Sequence, residues 1–464
     1  MIRKVRFVPL MAGLTILMVA ACQKQQQQVA RPQPPLIVDT DLEDDLPKEV
    51  KVGVLLPLTG RASSLGQDML KAAQMALFDA GGNSLVLVPR DTGGSANRAV
   101  LAARELIDDG AEIIIGPLFS SAVQAVTPIA QAADVRVLAF SNVTSVADEG
   151  TFLLGFRPEE QIDRVVQYAL DQGLTTFAGL APDDAYGATA MRALQRAVFE
   201  RGGEVNKVLY YPSSLDDPSP VVREIANYRE RQAALEEEKR IIGSLIEDEE
   251  DEEDVAAAVL KQLETYDTFG PPPFDAVLIA DGSDRLRSVA SLLTFYDVDP
   301  KDVQFLGTIR WQDDPRVLQE EALTGGWFAG SSPEAFAAFA QRFENNFGEG
   351  PDPLASLAYD ATALAVIVQR DLGDRSYTPE SLTDREGFAG ATGLFRLHPD
   401  GLVQHGLAVL EVADGSIKEV DPTPVRFIDE VADDPFDPSF ESDDPFGRSA
   451  PGDPAFGTDP PLTQ

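Results

Sequence analysis

From position 50 onward the chain alternates short apolar segments with longer segments whose apolar residues recur at helical spacing. This alternation predicts an α/β fold with parallel sheets wound by helices. The predicted strands fall into two sets, 50–56, 85–88, 112–115 and 137–140, then 176–181, 204–211, 276–280 and 303–307. We therefore expect two doubly wound parallel-sheet lobes joined by hinge strands.

The chain length also favours two lobes, because 464 residues exceed what one hydrophobic core usually serves. The pattern assigns 49–157 and 325–372 to lobe one, and 158–324 and 373–420 to lobe two. A terminal hairpin is expected where strands 395–397 and 406–412 flank a Pro-Asp-Gly turn.

Lobe two contains a charge-dense insertion at 229–266, whose good helix formers and closely spaced opposite charges predict helices. Its eight consecutive acidic residues from Glu247 to Asp254 repel one another, which favours a loop or a frayed helix there. Such charge runs are usually only solvated, so a docking role and a partnerless excursion both stay open.

The N-terminus has the order of a signal peptide, with basic residues before an apolar core at 7–21. Residues 1–21 are predicted to be removed, and 22–48, rich in Gln and Pro, to form a flexible tether. The sequence Val-Ala-Ala-Cys ending at Cys22 resembles the lipobox of bacterial lipoproteins, which implies lipidation of Cys22. A periplasmic, lipid-anchored protein is therefore expected, and Gln23 favours the outer membrane.

The composition is that of a globular protein, 44% hydrophobic, with a formal net charge of −38. Much of the excess lies in the acid run of the insertion and in the tail 429–464, which repeats Asp-Pro-Phe-like units. Low hydrophobicity and Pro content predict a disordered acidic tail. The charge argues against nucleic acid and anionic membrane surfaces as partners.

The residues offer little for catalysis. Asp91-Thr92-Gly93 matches the aspartic-protease triplet, but that chemistry needs two facing carboxylates, and an isolated triplet after a strand favours a turn. His398 and His405 flank the predicted hairpin turn, without an evident Ser-His pair or metal set. We therefore expect a protein that is not an enzyme and uses no cofactor or metal.

In wound sheets, ligands bind beyond the carboxyl ends of the strands. The loops of interest in lobe one are 58–66, 91–97, 116–121 and 141–144. Ser120 and Ser121 begin a predicted helix, where backbone N–H groups and the helix dipole favour an anion such as a carboxylate. Ordinary N-capping by Ser explains the same residues without a ligand.

Several motifs, in order and suitably spaced, resemble the leucine/isoleucine/valine-binding protein family of type I periplasmic-binding fold. They are Lys-Val-Gly-Val-Leu-Leu-Pro-Leu-Thr-Gly at 51–60, Arg-Asp-Thr-Gly at 90–93, Ile-Gly-Pro-Leu-Phe-Ser at 115–120, Phe-Ser-Asn at 140–142 and Ala-Pro-Asp-Asp-Ala-Tyr-Gly at 181–187. The lipobox, the Pro-Leu-Phe-Ser loop and the charged insertion resemble a narrower group, the penicillin-binding protein activator lipoproteins.

The resemblance implies roles for particular residues. Ser120 would hold a ligand carboxylate, the loop with Ser141, Asn142 and Thr144 would add polar contacts, and Tyr186 would close over the ligand from lobe two. The acidic residue that meets the ligand ammonium in amino-acid binders should fall at 308–311, where this sequence has Thr-Ile-Arg-Trp. Arg310 or Trp311 would suit a carboxylate or a sugar ring better.

Two functions follow from these features, with a third more remote. The first is a receptor that binds a small amino-acid-like, peptide or wall-fragment ligand for an ABC permease. The second is a regulator that activates a peptidoglycan synthase, favoured by the insertion, the tail and the missing acidic residue. The third is an envelope hydrolase.

Overall fold

The computed structural model describes residues 49–427 except positions 83, 214–216, 249–252, 313 and 374–376. The predicted signal peptide, the tether with Cys22 and the predicted acidic tail lie outside the described residues, as does the middle of the acid run. Within the described ranges, no helix combines the length and apolar character needed to cross a bilayer.

Lobe one is built on a sheet of five parallel strands in the order β2-β1-β3-β4-β5. Its strands are β1 (Val50–Leu56), β2 (Leu85–Asp91), β3 (Ala111–Ile115), β4 (Arg136–Ala139) and β5 (Thr151–Leu153). The helices between them are α1 (Ser63–Asp79), α2 (Ala96–Asp108) and α3 (Ser120–Ala132). The short strand β5 was not predicted.

Lobe two has a larger sheet that begins with parallel strands and helices of the same kind. Its strands are β6 (Thr176–Pro182), β7 (Glu204–Tyr211), β8 (Ala276–Ile279), β9 (Gln304–Gly307) and β10 (Trp327–Gly330). Its helices are α4 (Pro158–Asp171), α5 (Ala185–Glu200), α6 (Ser219–Ile225), α7 (Tyr228–Asp248), α8 (Glu253–Leu263) and α9 (Ser283–Phe295).

The chain then returns to lobe one before the last described strands join the sheet of lobe two. The returning elements are α10 (Pro333–Phe347), α11 (Ala355–Leu372), α12 (Pro379–Leu382) and a small antiparallel sheet of β11 (Phe388–Gly390), β12 (Gly393–Leu397) and β13 (Val403–His405). The last strands, β14 (Ala408–Ala413) and β15 (Ser416–Asp421), pair antiparallel beside β10, giving the order β15-β14-β10-β9-β8-β6-β7.

The α/β class with two wound sheets is confirmed, although lobe two is mixed rather than purely parallel. The predicted lobe limits need correction, because β10 pairs with β9 and β14 in lobe two instead of belonging to lobe one. Conversely, Tyr377, Phe395 and Val403 lie in the core of lobe one. The predicted hairpin also changes, since β12 pairs with β13 while β14 joins the other sheet.

Each sheet is covered by helices on both faces, so its central strands bury nearly every side chain. In β1, Val52 and Val54 point toward α1, α10 and α11, while Leu55 points toward α2 and α3. This explains the continuous apolar runs in the sequence, because a strand buried on both faces has no polar side to alternate with.

The predicted insertion forms two helices, α7 and α8, that pack mainly against each other. At its base the buried Arg231 donates to the backbone oxygens of Gly270 and Asp297, and Tyr228 packs edge-on against Tyr296. Helix α7 extends to Asp248 and α8 begins at Glu253, so helix covers both ends of the acid run, for which a loop or a frayed helix was expected. Positions 249–252 are outside the described residues.

Within the described residues the chain crosses between the two sheets three times, after β5, β10 and β13. Polar contacts join two of these crossings, those after β5 and β13. The Nδ1 atom of His405 lies 2.7 Å from a carboxylate oxygen of Glu160 in the first turn of α4. Arg157 donates to the backbone oxygen of Val403 at 2.7 Å, and Arg164 donates to that of Leu407 at 3.0 Å.

The small antiparallel sheet is tied to α11 by one buried carboxylate. Asp360 accepts hydrogen bonds from the backbone N–H of Ala391 and the hydroxyl of Thr392. Burial raises the pKa of Asp360 to about 6 despite these hydrogen bonds and the nearby His405, which act to lower it. The folded protein therefore binds this proton more tightly than the unfolded chain, for which the reference value is 3.8.

We predict that Asp360→Asn removes a pH-dependent part of the free energy of unfolding. The wild-type carboxyl stabilises the fold most below about pH 4, and its contribution falls as the pH rises toward about 6. The melting temperature of the wild type relative to Asp360→Asn should therefore rise as the pH is lowered through this window. Asp371→Asn, an exposed position in the same helix, is the control. A constant difference for Asp360→Asn would contradict the prediction.

Candidate functional site

The loops singled out in the sequence lie at the carboxyl edges of the two sheets, because parallel strands end on the same side. Ser120, Ser121, Ser141, Asn142 and Thr144 belong to lobe one. Tyr186 follows β6, and Arg310 and Trp311 follow β9, in lobe two. The site must therefore be built from two separate loop sets.

Asp91 fixes the loops after β1 and β2 to each other. One carboxylate oxygen accepts from the N–H groups of Leu58 and Gly93 at 2.9 and 2.7 Å. The other accepts from the hydroxyl of Thr59 and the guanidinium of Arg98, both at 2.6 Å. Burial acts to raise the pKa of Asp91, but the hydrogen bonds from Thr59 and Gly93 outweigh it and hold the pKa at about 2. An ionised carboxylate with five donors, the N–H of Thr59 included, is a structural clamp, as the turn interpretation predicted.

Ser120 and Ser121 occupy the first turn of α3. The residue before the helix, Phe119, has no side-chain oxygen and provides no cap. The backbone oxygen of Phe119 accepts from the N–H groups of Ala122 and Val123, whereas those of the two serines precede the first helical hydrogen bonds. This helix end therefore offers N–H donors and the positive end of the helix dipole.

The loop after β4 lies beside this helix end. The N–H of Phe140 donates to the backbone oxygen of Pro117 at 3.1 Å, which joins the loops after β3 and β4. Ser141 is buried and accepts from the N–H of Val143 within its own loop. Asn142 is exposed and Thr144 is half-buried, so these two side chains are more accessible to a ligand.

In lobe two, Tyr186 and Arg310 form a stacked pair. Asp184 caps α5 by accepting from the N–H of Gly187, which places Tyr186 in the first turn. Its hydroxyl lies 2.9 Å from the hydroxyl of the buried Thr308. The guanidinium carbon of Arg310 lies 3.8 Å from the centre of the Tyr186 ring, a cation–π arrangement.

Trp311 does not line a binding site, which corrects the prediction. Its side chain is fully buried in the core of lobe two, beside Phe328, and its indole N–H lies 3.3 Å from the backbone oxygen of Ile279. The ring fills space over Gly307 and Gly326, where a Cβ atom would lie within 2.0 and 2.7 Å of it. Trp311 is therefore a packing residue.

The sequence interpretation missed two polar residues at the edge of lobe two. Asp281, directly after β8, accepts from the hydroxyl of the buried Tyr211 at 2.7 Å. Burial and the neighbouring Asp281 raise the pKa of Tyr211 well above its usual range. Gln161 accepts from the N–H of Ile309 at 2.9 Å. The position of Asp281 directly after a predicted strand was the available signal.

Among the residues that the structure describes, no three His, Cys, Asp or Glu side chains form a group suited to a metal ion.

Two wound sheets joined by crossing segments, with polar loops at their carboxyl edges, define the type I periplasmic-binding fold. The chain belongs to the periplasmic binding protein family, whose model matches residues 49–416. The resemblance to leucine/isoleucine/valine-binding proteins is thereby confirmed for fold and family.

Individual proteins show the same relationship at low identity. The chain is 24% identical over 185 residues to Leu/Ile/Val-binding protein homolog 6 of Brucella abortus, covering 38% of this chain and 47% of that protein. It thus spans about half the length of the curated relatives it matches.

Solved structures share the fold over most of the chain. A branched-chain amino acid ABC transporter periplasmic ligand-binding protein from Burkholderia xenovorans is 18% identical, with a TM-score of 0.60 over 82% of this chain and 95% of that one. A solute-binding protein from Rhodopseudomonas palustris, in complex with 3,4-dihydroxybenzoic acid, is 17% identical, with a TM-score of 0.54 over 82% and 97% of the two chains.

A substitution at Gly116 tests the backbone path of the loop that precedes Ser120. The φ of Gly116 is +92°, and a Cβ atom there would lie 2.2 Å from the backbone oxygen of Leu55. Gly110 has a similar φ of +84° but open space around it. Both Gly→Ala variants should carry the left-handed strain of about 1 kcal/mol. Only Gly116→Ala adds the overlap, which should lower the free energy of unfolding by about 1 to 3 kcal/mol more in denaturant titrations. Equal losses would contradict this backbone path.

Proposed function

We propose that this protein is a periplasmic ligand-binding receptor that holds a small carboxylate-bearing molecule between the loops of its two lobes. The observation that carries the proposal is the placement of Tyr186, half-buried at the carboxyl edge of lobe two and oriented by Thr308. A tyrosine held in this way can cover a ligand bound to the opposite loops.

Lobe one supplies the features that favour an anion. The uncapped first turn of α3, with Ser120 and Ser121, offers N–H groups and hydroxyls. The loops 57–66, 116–121 and 140–146 contain no acidic residue, and the carboxylate of Asp91 is already occupied by its donors. A carboxylate would therefore meet donors here without a competing negative charge.

The similar proteins support this ligand class. Branched-chain amino acids and 3,4-dihydroxybenzoic acid, which the names of the two solved structures give, both carry a carboxylate. We propose that this chain likewise binds its ligand without chemical change and delivers it to an ABC permease. Lobe closure around the crossings after β5, β10 and β13 would enclose the ligand.

We predict that Ser120→Ala combined with Tyr186→Ala abolishes ligand binding while the fold is retained. A thermal-shift screen of the purified protein against amino acids, short peptides, aromatic acids and peptidoglycan fragments identifies a ligand, because binding raises the apparent stability. Calorimetry then compares wild type, the double variant and Tyr210→Ala, an exposed tyrosine of β7 as control. Unchanged affinity in the double variant would disprove the assigned site.

We also propose that the receptor is exported and anchored by a lipid on Cys22. The order of basic residues, apolar core, small residues and Cys22 supports this. A diacyl anchor provides enough buried hydrocarbon for stable membrane attachment, whereas one chain does not.

Cys22→Ala should release the protein from the membrane. The wild type should fractionate with membranes and incorporate labelled palmitate, whereas the variant should do neither. Val19→Leu, which keeps an apolar residue before the cleavage site, serves as the control. Membrane association and labelling of the Cys22→Ala variant equal to those of wild type would contradict the anchor.

A further inference from the structure

Among residues 308–311, directly after β9, Arg310 is the accessible polar side chain. Thr308 is fully buried, and its hydroxyl is engaged with Tyr186. The N–H of Ile309 is bound by Gln161, and Trp311 is in the core. Arg310 is exposed, so the chemistry that this loop offers a ligand is that of a guanidinium.

The guanidinium of Arg310 is held in place without a carboxylate. The ring of Tyr186 supports it at 3.8 Å, and its backbone packs against Gly282, where a Cβ atom would lie 3.1 Å from the Arg310 oxygen. Within the described part of the chain, no carboxylate forms an ion pair with it. The neighbouring Arg285, Arg287 and Arg316 all have such pairs, with Asp281, Asp284 and Asp314 respectively.

The acidic residues at this edge are largely occupied. Asp281 accepts from Tyr211 and from the N–H of Gly282 and faces Arg285, and Asp184 caps α5. A ligand ammonium at this edge would meet the carboxylate of Asp183, which is exposed after β6. A fixed guanidinium with five donors is better matched to a carboxylate, which it can bind through two parallel hydrogen bonds.

We propose that the ligand is a small dicarboxylate, with one carboxylate at the first turn of α3 and the second bound by Arg310. This inference rests on the proposed function and specifies the ligand class of the same site. The second carboxylate takes the place that an ammonium would occupy in an α-amino acid ligand. Tyr186 then has two roles, since its ring both covers the ligand and supports the guanidinium.

The test uses the whole purified protein and probes matched in length. Calorimetry compares α,ω-dicarboxylates from succinate to suberate with ω-amino acids of equal chain length, and with leucine and glutamate as α-amino acids. We expect a dicarboxylate to bind more tightly than its amino counterpart. Arg310→Gln should weaken dicarboxylate binding by about tenfold or more, because a charge-assisted pair is lost. The dicarboxylate affinity of Arg310→Lys should lie between those of wild type and Arg310→Gln, since lysine keeps the charge without the planar pair of donors.

The controls separate this inference from the proposed function. Arg316→Gln, on the same segment but paired with Asp314, should bind like wild type. Tighter binding of leucine than of any dicarboxylate, lost in Asp183→Asn and unchanged in Arg310→Gln, would overturn the dicarboxylate inference and keep the receptor function. Dicarboxylate affinity that survives both Arg310→Gln and the Ser120→Ala, Tyr186→Ala double variant would overturn both. Absence of binding by every probe would overturn the dicarboxylate inference and leave the receptor function to the broader ligand screen.

Discussion

The burial of both sheets on both faces is the constraint from which the rest of this molecule follows. Helices cover each side of the central strands, so the strand side chains are almost all apolar and cannot carry chemistry. Along the central strands, polar groups are then restricted to the strand ends and to the loops that follow them. The Asp91 clamp lies at the last residue of β2. The first turn of α3 and the Tyr186–Arg310 pair follow the carboxyl ends of β3, β6 and β9.

Local pattern was sufficient for most of the elements. The strands at 50–56 and 204–211 were predicted with the observed limits. The continuous apolar run of the first ends at a proline, and the run of the second ends after two tyrosines. The strand β5 was missed because three residues give too little pattern. The lobe assignment of β10 could not be predicted, since the choice of sheet depends on pairing with β9 and β14, far away in sequence.

The site shows the same division between local and nonlocal information. A Ser pair before a helix and a Tyr in a helix-opening loop were recognisable, and the structure places both at carboxyl edges. Trp311 was misassigned because a short loop does not reveal which way its side chain points. The direction of the Trp311 side chain is decided by the space above Gly307 and Gly326, which the ring fills. Only the folded chain brings these two positions together.

The return of the chain to lobe one has a consequence for the order in which the protein is made. Residues 49–153 supply the first sheet, but α10, α11 and the small antiparallel sheet that cover one of its faces are synthesised only after all of lobe two's parallel strands. Until then Val52, Val54 and their neighbours lack part of their cover, so the N-terminal lobe cannot complete its core early in synthesis. A chain with this topology stays incompletely folded until its C-terminal third has left the ribosome, which is the condition that passage through a narrow translocation channel requires.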